Sequence, residues 1–102
     1  MALAGSLPTP APLSPVVASI ATSGTPAKLS ATPTAWVRFV VQNPHATESI
    51  WVGPSDVSNA GARLGLEILP RTSITVEASD ASLWYVVSDG TAGAAVVLGM
   101  VL

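Results

Sequence analysis

Cysteine is absent from the chain, and full charges are scarce: four lysines and arginines and six carboxylates among 102 residues. Without cysteine there is no disulfide framework, no thiolate nucleophile and no zinc–thiolate site, so the chain must hold itself by packing, alone or against neighbours. The lack of charge is the stronger constraint. A free domain of this size ordinarily carries about a quarter charged residues, whereas here they are 10% and apolar residues 49%. A small domain must leave much of its surface outside. Much of that surface must therefore be Ala, Val, Ser, Thr and Gly, which suits burial against other protein.

Other absences narrow the function. The net charge is −2, and Lys28, Arg38, Arg63 and Arg71 are scattered, so the basic face that phosphate neutralisation needs is missing and nucleic acid is not an expected partner. The N-terminus carries no basic residue before Lys28, and prolines interrupt it; a secretory leader is not expected. The apolar C-terminal stretch 94–102 contains Gly99 and is far shorter than the ~20 residues of a membrane helix. It reads as a strand buried on both faces, with no membrane partner.

Residues 1–15 stand apart in composition, with Pro8, Pro10, Pro12 and Pro15 among Ala, Leu, Ser and Thr. Proline fixes φ and biases its predecessor to extended geometry, which predicts an extended N-terminal arm. Ordering fifteen backbones costs roughly 15 kcal/mol at ~1 kcal/mol each. Offsetting that takes about 600 Å² of apolar burial, more than Leu3, Leu7 and Leu13 can supply against one small domain. An ordered arm therefore requires neighbouring subunits.

From Val16 onward the pattern is β. Strands are predicted over 16–22, 27–29, 35–42, 49–52, 64–69, 73–78, 83–87 and 94–102, separated by Gly-, Pro- and Asn-rich turns. In the clearest of them, alternation places Val37, Phe39 and Val41 on one face and Trp36, Arg38 and Val40 on the other. The last two strands read as a hairpin across Asp89-Gly90. The predicted fold is all-β: a small antiparallel sandwich or barrel of seven or eight strands, residues 16–102 forming one domain behind the arm.

No constellation announces chemistry. The lone histidine, His45, sits in a turn three residues before Glu48 and reads as an exposed turn residue. The carboxylates Glu48, Asp56, Glu67, Glu77, Asp80 and Asp89 fall mostly at turns without paired spacing; Asp56 and Asp80 are expected to cap them. Neither a nucleophile elbow nor a phosphate-binding glycine loop is present. We expect no enzyme, no cofactor and no metal. Trp36, Trp51 and Trp84 are expected mainly in packing or subunit contact, with Trp51 and Trp84 the candidates for stacking on a sugar ring.

The segments 37–43, 50–57, 59–61, 68–71, 83–87 and 95–98 resemble small β-sandwich virion proteins of tailed bacteriophages. The likeness is carried by a strand ending in Asn43, by Ile50, Val52, Gly53, Ser55 and Val57, by the turn at Pro70, by the aromatic Trp84-Tyr85 strand and by the apolar last strand. Arg71 departs from that pattern, which has glycine after the proline, and the proline-rich arm is not shared. The resemblance implies a non-enzymatic capsid decoration or cement protein, located in the virion after assembly in the host cytoplasm. Its partners would be the major capsid protein or other virion subunits and copies of itself, a trimer fitting a lattice with threefold points. The alternative is a head-fibre, neck or tail-associated module that binds a host carbohydrate or receptor. Leu3, Leu7, Leu13, Val16 and Trp36 are the expected contact residues.

Overall fold

The computed structural model describes residues 11–12, 16–20, 25–59, 64–89 and 93–101. Seven strands of three residues or more form two antiparallel sheets: β2 (Val16–Ile20), β4 (Arg38–Gln42), β5 (Ile50–Gly53), β6 (Leu66–Ile68), β7 (Ser73–Val76), β8 (Tyr85–Ser88) and β9 (Gly93–Val101). Two-residue pairings, β1 (Ala11–Pro12) and β3 (Ala27–Lys28), extend them. The first sheet has the order β2-β9-β4-β7, with β1 alongside β2 on the same edge of β9; the second has the order β3-β8-β5-β6. We call them sheets A and B. The chain changes sheet at every step from β2 to β9 except between β5 and β6. The hairpin expected between the last two strands is therefore not formed: β8 lies in sheet B and β9 in sheet A. Of the expected arm, Ala11 and Pro12 are described, paired with Val101 and Met100; Leu3, Leu7 and Leu13 lie outside the described residues.

Period-two alternation builds one core between the sheets. Sheet A contributes Phe39, Val41, Val76, Ala95 and Val97, and sheet B contributes Ile50, Val52, Ile68 and Val86, with Leu29 and Ala81 from the connections. Phe39 is wholly buried and meets Trp36 and Trp84 edge-on, with centroids 5.9 and 6.2 Å away. Edge-to-face pairs of this kind add to plain area burial.

Alternation fails at one position. Strand β4 begins only at Arg38, after a bend at Val37. Val37 is 39% exposed, and Trp36 turns inward instead, packing on the core. The predicted facing of these two residues is thus reversed, because parity holds only within a continuous strand. The indole of Trp36 lies directly over Gly99: a Cβ on Gly99 would stand 2.2 Å from Trp36 Cε2.

Asn43 ties two turns together. It is fully buried; its Nδ2 donates to Glu48 O at 2.7 Å and Ile68 O at 3.0 Å, and its Oδ1 accepts from His45 N at 3.0 Å. Its backbone N–H donates to Thr72 O, and its carbonyl accepts from Arg71 N. The β6–β7 turn closes with Thr72 N–H donating to Leu69 O at 3.1 Å, and Arg71 has φ 59°. Proline at the second position and a left-handed third position define a type II turn. Arginine occupies the place glycine fills more easily, at a cost of about 1–2 kcal/mol.

The Trp36–Gly99 contact sets a clear expectation. Gly99→Ala should lower unfolding stability by roughly 1–3 kcal/mol through overpacking, and adding Trp36→Phe should recover part of the loss in a urea-denaturation double-mutant cycle. Simple additivity of the two substitutions would contradict this geometry.

Candidate interaction surface

The two sheets treat their outer faces differently. On sheet B, Trp51, Tyr85 and Val87 point away from the core and are roofed by the β5–β6 connection, whose Val57 is 2% exposed and packs against them. Backbone bonds hold the roof: Val57 N–H donates to Pro54 O at 2.9 Å and Gly65 N–H to Ser58 O at 3.3 Å. The Asn59 amide donates to Ser88 O on β8 at 2.9 Å. Gly65 permits the close return, since a Cβ there would sit 2.5 Å from Val52 O.

Sheet A has no such roof among the described residues. Its outward residues are Arg38, Val40 and Gln42 on β4, Ser73 and Thr75 on β7, and Val96, Leu98 and Met100 on β9. The register aligns Val40 with Thr75 and Leu98, Gln42 with Ser73 and Val96, and Arg38 with Met100. Val40, Gln42, Ser73, Val96 and Leu98 line an open depression of about 280 Å³ without a charged group. At its rim, Arg38 Nη1 and Glu77 Oε1 are 3.6 Å apart on exposed side chains, a weak contact in water.

The residue sizes on β9 run against what an isolated sheet needs. Ala95, Val97 and Gly99 face the core, while Val96, Leu98 and Met100 face outward, half-buried. The bulkier apolar side chains are on the outside. Leu64, Leu66 and Leu69, each more than half exposed, add apolar surface around β6.

The expected contact and stacking residues fall as follows. Val16 pairs with Val97 on the β9 edge. Trp36 lies in the core layer, partly covered. Trp51 is 9% exposed under Val57, and Trp84 is partly buried, packing on the core edge-on to Phe39. The outward row Val40, Val96, Leu98 and Met100 was missed; its signal was the alternation of small and large residues from Ala95 to Met100.

His45 is a turn-former. Its Nδ1 accepts from Thr47 N and Glu48 N, both at 3.0 Å, leaving Nε2 facing Glu48 Oε1 at 3.9 Å. Thr47 Oγ1 lies 3.4 Å from Nδ1, a spacing that suggests a nucleophile and base. The ring nitrogen has one in-plane lone pair, and two backbone donors already claim it. The described residues bring no three His, Asp or Glu side chains together as metal ligands.

Asp80 caps the 3-10 turn Ala81–Leu83. Its Oδ1 accepts from Ser82 Oγ at 2.7 Å, Ser82 N at 3.0 Å and Thr34 N at 3.2 Å. These bonds, the Ser82 hydroxyl foremost, with attraction from Lys28, hold its carboxyl below the ordinary value of 3.8.

Neither a family model, nor a curated protein, nor a solved structure matches the chain. Its function must be argued from the surface.

A carboxyl with a lowered folded-state pKa stabilises fully above its unfolded pKa and loses that contribution as pH falls through the folded value. The melting temperature should therefore drop on acidification below about pH 4, with a shallower slope in Asp80→Asn. An identical acid slope in the variant would refute this role for Asp80.

Proposed function

We propose that the chain is a non-enzymatic structural protein of a virion, a capsid decoration or cement subunit built as a small β-sandwich, which docks on shell subunits through the outer face of sheet A. The observation that carries this reading is the inverted β9, whose larger apolar residues Val96, Leu98 and Met100 face away from the core. Leaving such side chains in water forgoes about 25 cal/mol per Å² of apolar surface, and covering them recovers it. The strand order supports the same reading. Orders β2-β9-β4-β7 and β3-β8-β5-β6 are those of a double-sheet jelly roll, an architecture that serves viral shells, lectins and cupins alike. Architecture alone does not choose among these; the half-buried apolar face, without a cover among the described residues, favours the shell, and the burial of Trp51 under Val57 disfavours that ring as a sugar platform. A shell protein repeated on a lattice gains from weak contacts made many times, and an almost uncharged surface avoids repulsion between copies.

Binding to purified particles tests the proposal. Leu98→Lys, at a half-buried position on the outer face, should leave the chain folded by circular dichroism while sharply reducing occupancy. Deletion of residues 2–15 should also reduce occupancy if the arm anchors the subunit; unchanged occupancy removes that role. Full occupancy by Leu98→Lys, or absence of the parent chain from particles, overturns the reading.

A further inference from the structure

Sheet A ends at β7, whose outer edge pairs with no strand among the described residues. Asn43 N–H donates to Thr72 O, and backbone direction alternates along an antiparallel strand. Thr72, Ile74 and Val76 therefore turn their backbone groups to β4, and Ser73, Thr75 and Glu77 turn theirs outward. Natural edges are blunted by charge, proline, bulges or a covering segment. Pro12 lies on the opposite edge of this sheet and exposed Glu67 on the β6 edge of sheet B. The segment Ser73-Ile-Thr-Val76 carries neither charge nor proline.

We propose that β7 pairs with β7 of a second copy, antiparallel about a two-fold axis at Ile74. Residues 71–77 read Arg-Thr-Ser-Ile-Thr-Val-Glu, a self-complementary pattern about that centre. Ser73 then faces Thr75 of the second copy, and Arg71, in the turn that leads into the strand, lies at the same end of the pairing as its Glu77, each relation occurring twice. Opposed residues share a face of the sheet, and this register keeps Ile74 and Val76 on the core side, with Thr72 opposite Val76, and the Ser73 and Thr75 hydroxyls outside. A shift by one residue would set Ser73 against Val76 and break that division. Opposite charges meet at both ends, and like charges nowhere in the paired segment. The pairing also gives a use to arginine at a left-handed position, where strain is retained for a reason. It joins two copies of sheet A edge to edge, so their outer faces lie on one side of a continuous sheet, with the β7 hydroxyls between the two apolar bands. The inference stands on the edge alone and does not depend on a virion.

Sedimentation equilibrium of the full chain should show a concentration-dependent dimer. Arg71→Glu and Glu77→Arg should each weaken it about tenfold or more, since like charges then oppose across the axis; the double variant Arg71→Glu/Glu77→Arg should restore it, with circular dichroism unchanged throughout. Because the chain has no cysteine, mixing Ser73→Cys with Thr75→Cys under mild oxidation should give a disulfide-linked dimer faster than either variant alone. A wild-type chain that stays monomeric, with or without a foreign strand captured on β7, overturns the proposal. So does a dimer indifferent to both charge reversals, or cross-linking as efficient through Glu67→Cys on β6.

Discussion

The structure depends on how β9 divides its side chains between two faces. Ala95, Val97 and Gly99 occupy the core side because other residues already fill that space. Phe39 lies at the centre, and the indole of Trp36 presses onto the Gly99 backbone. With its inner face kept small, the strand carries its apolar volume outward in Val96, Leu98 and Met100. A chain with so few charges has little else to place there. The same strand thus closes the core on one side and carries on the other an apolar band that has no roof among the described residues.

The contrast with sheet B makes the band informative. That sheet too carries large residues on its outer face, but there the chain supplies its own cover, with Val57 over Trp51 and Asn59 bonded to β8. Sheet A lacks such a cover among the described residues. Its outer face and its β7 edge are contiguous, so a partner on the face and a second copy on the edge would not compete for the same atoms. Under the proposed shell role, a subunit would use both kinds of contact, one to the shell and one to its neighbour.

Much of the fold was legible in the sequence, for definite reasons. All eight strands predicted from Val16 onward have counterparts, because alternation and Gly/Pro punctuation are local signals. What failed was not local. Val37 and Trp36 exchanged faces because the strand starts after a bend, which alternation cannot register. The last hairpin was wrong because the short connection after β8 crosses between sheets, and nothing in Asp89-Gly90 distinguishes a crossing from a reversal. The capping role of Asp80 was legible because an aspartate before a turn bonds its own backbone. The roof over Trp51 was hidden in a polar loop, and only its single apolar residue, Val57, hinted at it. The outward row on β9 was present in the order of small and large residues, but a tail read as buried on both faces gave no reason to distinguish them.

Met100 offers a native probe of the central claim, that the outer face of sheet A is covered when the protein works. Its thioether should oxidise readily in the isolated chain and be protected in the assembled particle, with peroxide-induced sulfoxide at Met100 quantified by mass spectrometry of the C-terminal peptide. Strong protection on assembly is the predicted result. Equal oxidation in the two states would mean that the face stays wet, and would contradict the account.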